Sequence, residues 1–409
     1  GPFFMINKLL SPRFILSIGV LGLLAGCTDA RSPQSESNDI PVIRVATFNV
    51  SMEANNYRSQ GITPSEQTLL TLLNDPQQPQ IRNIAEIIQR VAPDIILLNE
   101  FDYSAGATPS AAQRFINHFL AVSQQGQTPQ HYDYVYAAPV NTGEPSPFDL
   151  DGDGKATGTG GDAYGYGIYP GQYGMVLLSK FPIDTDAVRT FQMFHWQDMP
   201  GAQQPVHPDT QDSWYSDQAW QGMRLSSKSH WDIPVNVKGK WLHVLAMHPT
   251  PPTFDGPEDR NGKRNHDEIR LMAEYLSPDK ASYLYDDKGN KGGLAPNSRF
   301  VLVGDFNATD VGDKHRAGVI EQLLDHPRVN GAVVPESEGG RAHCSQAFCA
   351  RYTAEWGARA DYVLPSKYGL SVKQSGVFWP AEASPLYRLV ENRQASSDHR
   401  LVWVDIAVE

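Results

Sequence analysis

Cysteine is scarce: the chain has three in 409 residues. Three thiols cannot staple a disulfide-built scaffold or fill a four-thiolate zinc site. No run of Lys or Arg occurs, and 34 Lys+Arg against 46 Asp+Glu leave a formal charge of −12. The sequence therefore carries no basic track for a nucleic-acid backbone, and duplex DNA is not favoured as a partner. An acidic protein can still cleave DNA when divalent cations are present, so a nuclease stays open. Long hydrophobic runs are also missing. The best one, Phe14 to Leu24, is too short to span a bilayer comfortably. There is no internal repeat and no low-complexity domain. What is present is ordinary globular material, 40% hydrophobic, with ample length to bury a core.

The first residues do not read as fold. Gly1-Pro2 reads as a tag remnant and Met5 as a native start. Lys8 and Arg13 precede the apolar run, which ends in Leu24-Ala25-Gly26-Cys27. That tetrad resembles the lipobox of bacterial lipoproteins, where cleavage precedes a lipidated Cys. The alternative is an ordinary signal peptide with a chance Cys27. The expected organisation is a leader over 1–27, a Ser/Asn/Asp/Gln-rich disordered tether over 28–40, and one catalytic domain over 41–409. The expected location is extracytoplasmic, with lipid at Cys27 holding a monomer to a bacterial membrane. Cys344 and Cys349, five apart in a polar loop, are expected to form a small disulfide. His343 alone would not complete a metal site there.

Strands outnumber helices, and the two interleave. Strands are expected at Val42–Val50, Ile95–Leu98, Met175–Leu178, Trp241–His248, Phe300–Asn307, Asp361–Leu364, Val372–Val377 and Leu401–Val408. Ile81, Ile84, Ile87, Ile88 and Val91 repeat at helical spacing and Pro93 closes that helix. A second helix is expected over Asn265–Leu276, and 109–122 could form a third. Residues 139–172 read as a long Gly/Asp/Pro/Tyr loop, and 192–232 as irregular.

The most informative stretch is Val301-Leu-Val-Gly-Asp-Phe-Asn307. A β-branched run delivers Asp305 and Asn307 to one sheet edge. The Asp can orient or activate a water, and the Asn can hold an anionic oxygen. Alone this could be a turn. Other strand ends agree with it: Asn49, Glu100, His248, and the Ser397-Asp398-His399 turn, with Asp361 opening a further strand. Together they suggest one rim where loops converge.

In chain order, these pieces resemble the endonuclease/exonuclease/phosphatase superfamily, which includes pancreatic-type deoxyribonucleases and neutral sphingomyelinases. The matching segments are Thr47-Phe48-Asn49, Pro93-Asp94-Ile95 through Asn99-Glu100, Gly174 to Ser179, His248, Gly304-Asp305-Phe306-Asn307, Ala360-Asp361-Tyr362-Val363 and Ser397-Asp398-His399. The resemblance implies an α/β fold of two packed, mainly antiparallel β-sheets flanked by helices. It implies that Glu100 binds Mg²⁺ or Mn²⁺, that Asn49 positions metal or phosphate, and that Asp398 supports the same metal. His399 would sit at the scissile phosphate, paired with Asp361. Asp305 would orient the attacking water, with Asn307 and His248 on the phosphoryl oxygens. The implied reaction is in-line hydrolysis of a phosphoester whose identity stays open. A secreted nuclease for phosphate scavenging and a catalytically silent binding protein on the same scaffold are the rivals.

Some features depart from this pattern. Phe101-Asp102 follows Glu100 where the family's nucleases often carry a basic residue. Tyr173 is a weak candidate for the family's mid-chain Tyr or His. Asp149, Asp151 and Asp153 with Gly154 fit the start of a calcium loop, but Gly160 stands at its twelfth position. That segment either binds structural Ca²⁺ or forms an Asx-rich turn. Lys228, His230, Lys263, Arg264 and Arg270 fall near the expected phosphate rim in sequence. The charges over 258–270 otherwise read as a solvated helix face. The tryptophans over 192–232 read as packing or as a clasp for a base, sugar or headgroup.

Overall fold

The computed structural model describes residues 39–409. The leader, the Cys27 lipobox and positions 28–38 of the tether lie outside the described residues. From Ile40 onward the chain packs as one unit.

Two sheets face each other. The first runs, in spatial order, through β10 (Leu370–Val377), β11 (Val402–Val408), β1 (Val42–Met52), β2 (Ile95–Phe101), β4 (Met175–Ser179) and β3 (Tyr134–Tyr136). The second runs through β5 (Arg189–Thr190), β6 (His230–Val237), β7 (Lys240–Met247), β8 (Arg299–Asp305) and β9 (Asp361–Pro365). Each sheet has one parallel pair at its heart. β1 and β2 pair from Val45↔Ile95 to Asn49↔Asn99, and β7 and β8 from Leu242↔Arg299 to Ala246↔Val303. Parallel neighbours need a crossover, and a helix supplies it in both cases: Pro79–Val91 in the first, Arg260–Tyr275 in the second. All four strands therefore point their C-terminal ends to one rim.

The sequence explains these elements locally. Pro79 starts its helix where a missing N–H costs nothing, and Gln78 caps it. Ala92, at φ 53, ends it before Pro93. β8 alternates: Val301 and Val303 face the core between the sheets, while Phe300 and Leu302 face the Arg260–Tyr275 helix with Ile269 and Met272. The resulting layers are helix, sheet, sheet, helix, as the family resemblance implied.

Two expectations need correction. The 192–232 segment is not irregular throughout, because β6 occupies Trp231 and its neighbours and pairs with β7 from His230↔Met247 to Val237↔Lys240. The 258–270 helix is not a solvated face, because Arg264, Asp267 and Glu268 are buried. Residues 192–229 cover that side, and the Trp196 indole donates to Asp267 Oδ2 at 2.8 Å. Trp196 and Trp231 are fully buried, so these two are packing. The 109–122 helix is a short turn of α-helix, Ala111–Phe115, followed by a wider turn to Leu120. Cys344 and Cys349 are joined, with Cα atoms 5.9 Å apart. No helix of the described residues is long and apolar enough to cross a membrane.

Candidate functional site

The rim at the strand ends carries a cleft of about 1110 Å³, lined in part by Glu100, Lys228, His248, Asp305, Asn307, Asp398 and His399. Asp305 lies at its floor. Alternation along β8 turns it toward the seam between the sheets, and it is 1% exposed. Its backbone N–H donates to Asn99 Oδ1 at 2.9 Å, tying the end of β8 to the end of β2. Its Oδ2 accepts the Asn49 amide at 3.0 Å and lies 3.4 Å from the Nε2 atoms of both His248 and His399. Burial would raise this carboxyl, but His399, His248 and the Asn49 amide outweigh it and hold Asp305 well below the ordinary range.

His399 reaches the floor from the turn before β11. Ser397 pins that turn by donating to the Asn49 carbonyl at 2.6 Å. His399 Nδ1 meets Asp361 Oδ2 at 2.8 Å, and Thr353 Oγ1 donates to the same oxygen at 2.7 Å. Burial opposes charge on the ring, yet Asp361 and Asp305 prevail and raise it well above the usual imidazole value. Burial pushes Asp361 up to about 6 against the pull of His399. The Trp356 indole stands edge-on to the His399 ring, centroids 4.7 Å apart. His248, by contrast, stays neutral: burial and the Lys228 charge bring it down to about 4.

The Asp361–His399 pair gives a directional prediction. A raised folded-state pKa means the charged ring contributes stability that is complete below pH 6.5 and is lost as pH rises through the folded value. Asp361→Asn removes the main support of that charge. Imidazole ¹⁵N shifts are expected to show His399 doubly protonated at pH 7.5 in the wild type and neutral in the variant, with turnover down ~10²-fold. Equal shifts in both proteins would contradict this reading.

Glu100, next to the last residue of β2, has φ 53, an unusual backbone for a long side chain. Its carboxylate meets the Asn49 amide, so one amide bridges Glu100 and Asp305. Burial and the charge of Asp398 push Glu100 up to about 7. Ligand atoms of Glu100, His248 and Asp305 lie within 4.8 Å of one another. Clustered carboxylate oxygen, with one of the acids resisting ionisation, is the environment a divalent cation relieves. The donor set therefore fits a divalent metal ion, which Glu100 and Asp305 would hold with Asn49 alongside. Asp398 lines the same cleft: its Oδ1 accepts from Ser51 Oγ at 3.1 Å, and Arg393 lies 3.7 Å from its Oδ2.

Asn307 has φ 49, which Asn tolerates better than most residues. Its amide donates to the Pro249 carbonyl at 2.9 Å, and its backbone N–H donates to Asp305 Oδ1 at 3.1 Å. Of the basic residues expected near the rim, Lys228 and Arg264 line the cleft. Arg264 is consumed by the carbonyls of Leu225, Tyr164, Arg224 and Ser226. His230 is held between Ser226 and the Glu268 carbonyl, and Arg270 pairs with Glu274. Lys228 is buried, and burial lowers its pKa against the charges of Glu268, Glu100 and Asp305.

Some contributors carried no sequence signal. Glu268 accepts from the backbone N–H groups of Ser227 (2.7 Å) and Thr250 (2.8 Å), fixing the segments that deliver Lys228 and His248. Thr353 and Trp356 sit in an unpatterned loop. Tyr173 lines the cleft. Asp102, which stands in the basic position of nucleases, is buried and accepts from the backbone of Ala54 and Tyr173. Asp149, Asp151 and Asp153 come together and are joined by Asp162, their ligand atoms within 4.8 Å. The same segment is an Asx-rich turn, with Asp149 accepting from Gly152 and Gly154.

The chain is thus a helix-flanked double sheet whose buried acids and imidazoles gather at one rim. The chain belongs to the endonuclease/exonuclease/phosphatase family, whose profile matches residues 46–399. Members of that family are metal-dependent phosphoesterases and nucleases. No curated protein matches the sequence. Among solved structures, the chain is similar to an endonuclease/exonuclease/phosphatase from Beutenbergia cavernae (16% identity, 90% of this chain and 72% of that one, TM-score 0.49). It is also similar to sphingomyelinase C from Streptomyces griseocarneus (14%, 89% and 99%, TM-score 0.45). A third is a Staphylococcus aureus beta toxin variant with bound magnesium ions (12%, 90% and 100%, TM-score 0.44).

Proposed function

We propose that the protein hydrolyses a phosphoester by in-line attack of water, with a divalent cation, Mg²⁺ or Mn²⁺, and no covalent intermediate. The observation that carries this reading is the Asp305 carboxylate, held ionised among Asn49, His248 and His399 at the floor of one cleft. An ionised, buried carboxylate accepts a hydrogen bond from water and aims its lone pair. The charged His399 ring presents Nε2–H to a phosphoryl oxygen, while Asp361 keeps that ring oriented and protonated. His248, neutral, and Lys228 bring further donors to the same oxygens. The cation would neutralise charge on the phosphoryl group and its leaving oxygen.

The cleft walls favour a compact substrate. Tyr166, Phe254 and Trp356 stand around it and are 61%, 83% and 40% exposed, and the chain is acidic overall. A small phosphoester suits that setting better than duplex DNA. The lipobox-like tetrad at Cys27 supports an extracytoplasmic, lipid-anchored monomer. The test is a panel of bis-p-nitrophenyl phosphate, p-nitrophenyl phosphate, sphingomyelin and plasmid DNA, each with Mg²⁺, Mn²⁺ or EDTA. Metal-dependent turnover of a small ester fits the proposal; no turnover of any phosphoester points to a silent binding protein.

The Asp149–Asp162 group would hold a structural Ca²⁺. Millimolar Ca²⁺ is expected to raise the melting temperature, since a ligand at 100 times its Kd stabilises by ~2.7 kcal/mol. Asp162→Asn is expected to abolish that shift. A calcium-independent melting curve would leave the segment as a turn alone.

A further inference from the structure

The two ends of the sandwich differ in their exposed side chains. At the cleft end, Phe254 rises from a loop that also carries Asp255, Glu258 and Asp259, and Asp151 lines the cleft. At the opposite end, the β6–β7 turn, the start of β8, the β9–β10 turn and the entry to β1 form one face. Lys240 Nζ donates to the Val408 carbonyl at 2.9 Å, and Arg299 Nε to the Glu409 carbonyl at 2.7 Å. Glu409 N–H donates to Gly369 O and Val408 N–H to Pro41 O, both at 2.9 Å. Gly369 also lies against the Arg299 side chain.

On this face Trp241 and Tyr368 are 45% and 49% exposed, and Ile40 and Val42 are 51% and 54% exposed. Lys238 and Lys367 are exposed beside them. In a chain of net charge −12, this face carries Lys238, Lys240, Arg299 and Lys367 beside the acids Asp39 and Glu409, and the Glu409 carboxylate accepts from Ser371. Exposed Trp and Tyr rings with lysines at their edges match the chemistry of a lipid headgroup layer. The rings suit the interfacial zone, and the ammonium groups are drawn to anionic lipid within a Debye length. The chain enters the sandwich on this same face, through Ile40 and Pro41, and Cys27 stands only a short way upstream in sequence.

We propose that this end rests on an anionic lipid surface, so that the cleft opens away from the bilayer and takes a soluble phosphoester rather than a lipid of its own membrane. The inference rests on the anchoring proposed above. β7 links the two ends: at ~3.3 Å per residue, Trp241 lies roughly 20 Å from His248.

Among the described residues, Trp241 and Trp356 are the tryptophans in the most exposed class, one at each end. They make the orientation measurable. The full chain is reconstituted in vesicles of phosphatidylethanolamine and brominated phosphatidylglycerol, and quenching of tryptophan emission is compared for wild type, Trp241→Phe and Trp356→Phe. The expected result is quenching in wild type and Trp356→Phe that is lost in Trp241→Phe and weakened when Lys238→Glu and Lys367→Glu are combined. Quenching that survives in Trp241→Phe but disappears in Trp356→Phe overturns the proposal, as does no quenching in the vesicle-bound wild type. Hydrolysis of bis-p-nitrophenyl phosphate by Trp241→Phe is expected to equal wild type. Failure of the catalytic reading would appear there and not in the quenching.

Discussion

Asp305→Ala is expected to lower kcat by at least ~10²-fold and up to ~10⁴-fold, the range for losing a positioned acid–base group. The site gives two reasons for a loss at the upper end. The carboxylate is the common partner of Asn49, His248 and His399. Removing it takes away the group proposed to accept from the attacking water and one of the two carboxylates that keep the His399 ring charged. Asp305→Asn is nearly isosteric but cannot stay anionic, so it is expected to fail almost as badly. Steady-state kinetics on whichever ester is turned over, with circular dichroism to verify folding, would check this. A folded Asp305→Ala protein that turns over like wild type would remove Asp305 from the chemistry.

Glu100→Gln is expected to move activity and stability in opposite directions. Burial and Asp398 raise the Glu100 carboxyl to about 7. A carboxyl raised in the fold is ionised there at a cost, so the metal-free protein loses stability as pH climbs from 4.5 to about 7, with the full penalty present above. Glutamine cannot ionise. At pH 8 with EDTA, the variant is expected to melt ~1–3 °C above wild type. In Mg²⁺ the order reverses, because only wild type gains the binding free energy. Turnover at subsaturating Mg²⁺ is expected to fall ~10²-fold or more, the scale of losing an acid–base or metal-holding group. Parallel thermal melts with and without the metal would measure this. A variant less stable than wild type in EDTA would mean that Glu100 acts as a structural hydrogen-bond acceptor.

Much of the fold could be read from the sequence because its central strands are β-branched runs ending in single polar residues. Val301 to Asn307 shows both the strand and the site in seven residues. β6 was hidden because Asp232 and Pro234 break its apolar run. The structure accommodates both. Asp232 accepts from His243 Nδ1 at 2.7 Å and from the Tyr275 hydroxyl, and Pro234 lies beyond the two residues paired with β5, where β6 is close to an edge. The buried charges of the Arg260–Tyr275 helix were hidden for a different reason. Periodicity marks a polar face but not the loop that covers it, and residues 192–229 cover this one. The floor residues Asn49, Glu100, His248, Asp305, Asp361 and His399 were visible as strand-end polar groups. Glu268, Thr353 and Asp162 were not, since each acts through contacts between segments far apart in sequence.

The strand order has a consequence for how the protein is made. β1 lies between β2 and β11, so β1 keeps one edge bare until β11, more than 300 residues later in the sequence, arrives. The final turn before β11 also brings His399 to Asn49 and Asp305. A nascent chain therefore carries no assembled floor and an open hydrogen-bonding edge until β11 has been made. Such late, long-range closure is slow and exposes the chain to aggregation. It also leaves the candidate site unassembled until β11 is in place.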